Sequence, residues 1–381
     1  EFTMANSSIT ANNISGKIDG IAFGIDSTLI KNAYTTLVKN QPGQLKVDTR
    51  VRLGSLSLKE IMAFIPADTT DESPSEPLNY TMLLRGAAKM KRFTYDSVEF
   101  RNVSTLFNIQ DSVYTVDQFK FDAFGGHLNS SAKYIQKPDN RAIVQMRNSI
   151  KKMNIKRLLK DFNDFEKYYK PGIRSENISG SLTSDFFTRA IFYGDSLAQK
   201  SLRVRGDFQL EDGGVYDFKP AESLSKKTSI NELDNIQFKD LNSQVFIMKG
   251  AVYVPKTYIS STALDITAYG MQEFGTDYEY HLKLHLSDIL VGKSEKLLKK
   301  QAKMGDIATK DKRSNAAYMV AFSKDGEAKT RFDNKKLKSA MKNRIRLQEN
   351  LLRIRFHPEM FKFDTNVYPN PFFNRRKNIF D

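Results

Sequence analysis

Tyr278-Glu279-Tyr280-His281-Leu282-Lys283-Leu284-His285-Leu286 decides the fold class. Apolar and polar residues alternate with a period of two, which gives an extended strand one apolar face and one polar face. The same rhythm recurs at Leu45, Val47, Thr49, Val51 and Leu53, at Val103, Thr105, Phe107 and Ile109, and at Leu264, Ile266 and Ala268. Turn signals fall between such runs, at Pro42-Gly43, Gly125-Gly126, Pro138-Asp139 and Asp212-Gly213-Gly214. About 16 to 18 strands fit the chain, mostly in antiparallel meanders. The predicted fold is mainly β, with short interspersed helices.

Three short helices are predicted after strands. Ser57-Leu58-Lys59-Glu60 has capping-box spacing and opens an apolar turn that ends near Pro66. Asn154 to Phe162 reads as a second helix, and the segment after Ser287-Asp288-Ile289-Leu290 as a third. Ala316 to Phe322 reads as one more strand. Beyond it, Leu337, Met341, Ile345, Leu352 and Phe356 share one stripe of a C-terminal amphipathic helix. One internal similarity stands out: Phe100 to Val116 aligns with Phe238 to Val254 at a constant offset of 138 residues. A duplicated supersecondary unit argues for an extended stack over two unrelated globules.

The chain has 381 residues and a formal net charge of +15, with 27 Phe, 16 Tyr, four His and no Cys. So many aromatics predict a folded chain with a sizeable buried or lipid-facing apolar surface. Lack of cysteine excludes disulfides, thiolate metal sites and a cysteine nucleophile. Residues 293–355 carry 19 Lys/Arg against 7 Asp/Glu, so most of the positive charge belongs to one C-terminal stretch. No zinc-finger spacing, RNA-binding signature or helix-turn-helix pattern accompanies it, which argues against nucleic acid. The four parts expected are 1–65 and 80–292, both strand-rich, the acidic Pro/Ser-rich loop 66–79, and the basic segment 293–381.

Several stretches carry a family resemblance. They are Gly180 with Leu182, Gly206-Asp207-Phe208-Gln209-Leu210, Gly213 to Pro220, Ile236 to Leu241, Val245 to Val252 and Ser260 to Ile266. The aromatic-Gly-Gly turn Phe124-Gly125-Gly126 adds to them. Together they resemble the C-terminal region of the AsmA-like family of envelope proteins, related more loosely to TamB and the repeating β-groove lipid transporters. The resemblance covers 90–290 well and 1–65 loosely. It implies an elongated, curled antiparallel sheet, taco-like, whose apolar concave face carries phospholipid between the inner and outer membranes. It also implies a periplasmic location, with an N-terminal membrane helix of the family that is absent here. It brings no catalytic residue and no cofactor.

Strands with one apolar face supply a lipid-carrying surface if the sheet curls into a gutter. The same alternation serves equally for a dry sandwich or for packing against helices. Candidate lining positions are Phe119, Phe121, Leu264, Ile266, Tyr278, Tyr280, Leu282, Leu284 and Leu286, and each could be ordinary core. His281 and His285 stand four residues apart on a strand, about 13 Å, too far to share a metal ion, and are expected to face solvent. Asp207, Asp212, Asp217 and Asp265 are scattered without the pairing that hydrolytic chemistry needs. No phosphate-binding loop or nucleophile elbow is present, so an enzyme is not expected. The basic helix, with Lys335, Lys338, Lys342, Arg346 and Arg353 as candidate contacts, has three readings. It could lie on an anionic membrane surface, dock on another envelope protein, or cover an exposed edge strand. The leading expectation is a phospholipid-binding or bridging protein. The alternative is an outer-membrane protein assembly factor acting through sheet edges or the basic tail.

Overall fold

The computed structural model describes residues 1–5, 7–18, 20–57, 59–60, 79–163, 173–262, 264–275, 277–285, 316–332, 343, 346–347 and 350–356. Among the described residues eighteen strands belong to one sheet, so the mainly β, open-sheet expectation holds. Two compact units divide the chain, Glu1–Asn148 with Phe192–Asp195 and Ser149–Ile191 with Ser196–Lys362.

The first unit runs β1 (Phe2–Ala5), β2 (Ser8–Ile18), β3 (Ile21–Lys31), β4 (Gly43–Ser57), β5 (Tyr80–Tyr95), β6 (Val98–Gln110), β7 (Val113–Ala123), β8 (Gly126–Gln136) and the start of β9 (Arg141–Asn154). Successive strands from β1 to β8 pair antiparallel, with one exception. β4 and β5 are parallel, from Gly43 opposite Tyr80 to Ser57 opposite Thr94. A parallel pair needs a connection that returns the chain to the other end of the sheet. The predicted acidic loop stands in that connection, and residues 61–78 lie outside the described ones.

The second unit holds the end of β9, α1 (Ile155–Asp161), most of β10 (Ile178–Tyr193), β11 (Ser196–Leu197), β12 (Arg203–Tyr216), α2 (Lys219–Thr228), β13 (Asn235–Met248), β14 (Ala251–Ile259), β15 (Asp265–Glu273), β16 (Tyr278–His285), β17 (Ala316–Lys324) and β18 (Glu327–Phe332). From β12 to β18 each strand pairs antiparallel with the next.

Turn chemistry explains the meander. Two-residue loops at Asp96-Ser97, Asp111-Ser112, Phe124-Gly125, Lys249-Gly250 and Asp325-Gly326 join adjacent strands. The first residue of each is left-handed, with φ between 48° and 54°. That geometry matches the right-handed twist of the flanking strands. Asp111-Ser112 and Lys249-Gly250 lie 138 residues apart in the two similar stretches, so the internal similarity is a hairpin present in both units.

Some local predictions are met and others are corrected. The capping box at Ser57 forms: the Ser57 backbone N–H and hydroxyl both donate to Glu60 Oε2, at 2.6 and 2.7 Å, and the Glu60 N–H donates back to Ser57 Oγ at 3.2 Å. α1 starts where predicted, with Asn154 Oδ1 accepting from the Arg157 N–H at 2.9 Å. Asp212-Gly213-Gly214 is not a turn but part of β12. A Cβ on Gly213 would stand 2.6 Å from the Phe238 ring and 2.7 Å from the Ser179 carbonyl, so close strand approach requires glycine there. α2 was not anticipated. Pro220 in its first turn and the left-handed Ser229 at its C-terminus are its local signals.

α2 packs on the sheet of the second unit. Leu224, with Ile230 and Leu233 just after it, closes over Leu264, Ile266, Leu282, Leu284, Met319 and Phe332. Leu284 and Met319 are fully buried. Leu284→Ala should therefore lower the unfolding free energy by about 2–5 kcal/mol in urea titration. A loss below about 1 kcal/mol would show this core to be loosely packed.

Candidate functional site

Cross-strand partners point to the same side of a sheet, so the registers of the first unit resolve its two faces. One row across the sheet reads Ile14, Ile25, Val51, Ala88, Thr105 and Phe119. Two residues along, a second reads Ala11, Thr28, Thr49, Gly86, Phe107 and Val116. A third reads Ile9, Ile30, Val47, Leu84, Ile109, Tyr114 and Tyr134. Phe23, Leu53, Met90 and Val103 make a fourth. This face is apolar across β2–β8, broken by threonines at a few positions.

It is also open. Gly86 and Val103 are buried, and the other members of these rows are half-buried or exposed. Among the described residues the short π-helical turn Tyr34–Val38 touches β4, and no α-helix makes more than sparse contact with β2–β8. The opposite face is the more enclosed one, although it is more polar. There Leu106 and Ala87 are 0% exposed and Asn108 is 3% exposed. Asp48 accepts two hydrogen bonds from Arg85, at 2.6 and 2.7 Å, and Asn108 donates to Asp117 at 2.7 Å. An antiparallel sheet in water ordinarily shows the reverse, with the apolar face against the core. A contiguous apolar face left open marks an interaction or ligand surface.

Phe119 and Phe121, two of the predicted lining residues, stand on this part of the sheet and are half-buried. Their rings lie 5.4 Å apart, and Phe121 meets Phe100 edge-on at 4.8 Å. Phe100 in turn contacts Phe93 and Phe124, at 5.8 and 6.5 Å. Beside the fourth row, on the opposite and polar side of the sheet, a cavity of about 590 Å³ opens over the row Gly24, Arg52, Lys89 and Ser104, which stands one residue out of step with Phe23, Leu53, Met90 and Val103. Its lining includes no carboxylate. Arg52 is held by Asp26 at 2.6 Å.

The other lining candidates are placed differently. Leu264, Ile266, Tyr278, Leu282 and Leu284 are buried, and Tyr280 packs beside them under α2. They form enclosed core in the second unit because α2 lies over the face that their alternation marks as apolar. Leu286 lies outside the described residues. His281, expected to face solvent, is 5% exposed. It stacks on Tyr269 at 4.8 Å, and its Nε2 is 2.7 Å from Glu279 Oε1. His285 Nε2 is 3.1 Å from Thr267 Oγ1. Among the described residues no three metal-ligating side chains come together.

Lys335, Lys338 and Lys342 also lie outside the described residues. Arg346 and Arg353 are exposed on a helical stretch that includes 350–355. Leu352 and Phe356 of that stretch are buried against Phe246, with Phe187, Met248 and Tyr253 beside them. The Phe246 and Phe356 rings stand 5.1 Å apart, and Arg205 donates to the Phe356 carbonyl at 3.3 Å. The stretch thus docks on the faces of interior strands β12–β14, on the side opposite α2, and not along an edge strand.

Residues 79–183 match the AsmA family. The match covers β5–β9, α1 and the start of β10, and so takes in half of the open face. No curated protein and no solved structure matches the chain. Among the described residues no helix is long and apolar enough to cross a membrane.

Burial under α2, with the Glu222 carboxylate nearby, pushes the Tyr278 hydroxyl up to about 12, and burial raises Tyr280 in the same direction. An unfolded chain ionises these tyrosines from about pH 10, while the folded chain holds their protons longer. Stability should be intact below pH 10 and fall as pH rises from about 10 to 12. Chemical denaturation across that window should show the slope, and Tyr278→Phe should flatten it.

Proposed function

We propose that this protein is a non-enzymatic component of bacterial envelope biogenesis that binds phospholipid on the open apolar face of β2–β8 and passes it between the inner and outer membranes. The observation that carries the reading is the inverted burial of that sheet, with apolar rows open and the polar side enclosed. The AsmA match over 79–183 supports the envelope setting and a periplasmic location.

The energetics favour such a surface. Exposing the roughly 30 methylenes of a diacyl lipid to water costs on the order of 20 kcal/mol, at about 0.8 kcal/mol each. A carrier removes that barrier by keeping the chains on protein throughout. Seven strands at about 4.8 Å spacing make a face roughly 30 Å across, about twice the length of one acyl chain in a bilayer leaflet. The rows Ile14 to Phe119 and Ile9 to Tyr134 cross this width without a charged residue. Nonpolar contact of this kind is indifferent to where along the face an acyl chain lies, which permits sliding.

The test is organic extraction of the purified chain and mass spectrometry of what co-purifies. Phospholipid at one or more molecules per chain is expected. A Val51→Asp/Val116→Asp chain should stay folded and lose at least tenfold of that lipid, because both side chains are half-exposed on the open face. By contrast Leu284→Asp, in the enclosed core, should fail to fold. Absence of lipid from the folded wild-type chain would overturn the proposal, as would full lipid retention by the double variant.

A further inference from the structure

The docked C-terminal stretch has a second apolar side. Leu347, Leu351 and Ile354 are 61%, 51% and 69% exposed. At about 100° per residue these three fall within about 60° of one another, on the far side of the helix from Leu352 and Phe356. A helix already anchored by one apolar stripe has no need of a second for its own packing. Exposing three large aliphatic residues at i, i+4 and i+7 costs solubility unless something covers them.

Charge indicates what covers them. Arg346 and Arg353 lie on one flank of the exposed stripe and Arg355 on the other, all three exposed. Burial, and then the like charges of Arg355 and Arg189, pull the Arg203 guanidinium below its ordinary value, so guanidinium groups crowd together where the helix meets the sheet. Residues 293–355 as a whole carry the excess of 19 basic over 7 acidic side chains. Aliphatic residues flanked by arginines match the boundary between acyl chains and anionic headgroups.

We propose that Leu347, Leu351 and Ile354, with Arg346, Arg353 and Arg355, form a docking surface for an anionic phospholipid membrane, seated on β12–β14 through Leu352 and Phe356. The stripe enters the headgroup boundary, while the arginines pair with lipid phosphates. This surface is separate from the open face of β2–β8: the one holds single lipids, and the other holds the protein to a bilayer.

The chain contains no tryptophan, so Ile354→Trp introduces a unique fluorophore. With vesicles of one part phosphatidylglycerol to two parts phosphatidylcholine, its emission should shift to the blue, and the 381-residue chain should co-sediment. Pure phosphatidylcholine vesicles should bind at least roughly tenfold less, and added salt should weaken the anionic case. A Leu347→Glu/Leu351→Glu/Ile354→Glu chain should lose binding at least tenfold with unchanged circular dichroism, while Val51→Asp/Val116→Asp keeps it. Vesicle binding by the triple variant equal to wild type, or an emission unchanged by anionic vesicles, would overturn the proposal. So would a wild-type dimer in sedimentation that the triple variant renders monomeric, since a second copy would then be the partner.

Discussion

Strand register is the constraint on which everything else in this molecule rests. Side chains alternate sides along a strand, so a slip of one residue would send Val51, Ala88 and Thr105 to the opposite face. Continuous rows survive across β2–β8 only because each neighbour is held in step. Two-residue loops with a left-handed first residue fix that step at Asp96, Asp111 and Phe124. Where a strand carries an extra residue, as between Ile25 and Ser27 or between Val116 and Phe119, the register shifts and the apolar rows continue beyond it. From β5 to β8 the face is thus built from turns of two.

The two units put the same alternation to different uses. In the second, the apolar side of β15–β18 meets α2, and the result is a compact core of Leu, Met and Phe with buried tyrosine hydroxyls whose protons are hard to remove. In the first, the apolar side stays open, and the enclosed side is the one with the Arg85–Asp48 pair and Asn108. Part of the cost of enclosing polar groups there is offset by the Arg85–Asp48 pair and by the Asn108 amide donating to Asp117. One consequence is that open-face residues and enclosed-core residues cannot be told apart by residue type. Val51 and Leu284 differ in what stands opposite them, not in chemistry.

The C-terminal stretch repeats this lesson at smaller scale. Its helical pattern shows one stripe ending in Leu352 and Phe356, and those two are buried on β12–β14. The exposed stripe Leu347, Leu351 and Ile354 sits among so many arginines that it reads as part of a solvated face until burial is measured. A helix with two apolar sides, one covered and one open, is a connector between a protein surface and something else.

The sequence by itself determined the strands, the capping box at Ser57, the start of α1, the hairpin shared by Phe100–Val116 and Phe238–Val254, and the resemblance to the AsmA family, because each depends on neighbours a few residues apart. Tertiary structure alone decided that β4 and β5 run parallel, that Asp212-Gly213-Gly214 stays within a strand, that His281 is buried against Tyr269, and that Phe119 lies open while Leu282 and Leu284 lie under α2. Alternation states which side of a strand is apolar. What covers that side arrives from residues tens of positions away, such as Leu224 upon Leu284, and a period of two carries no information about them.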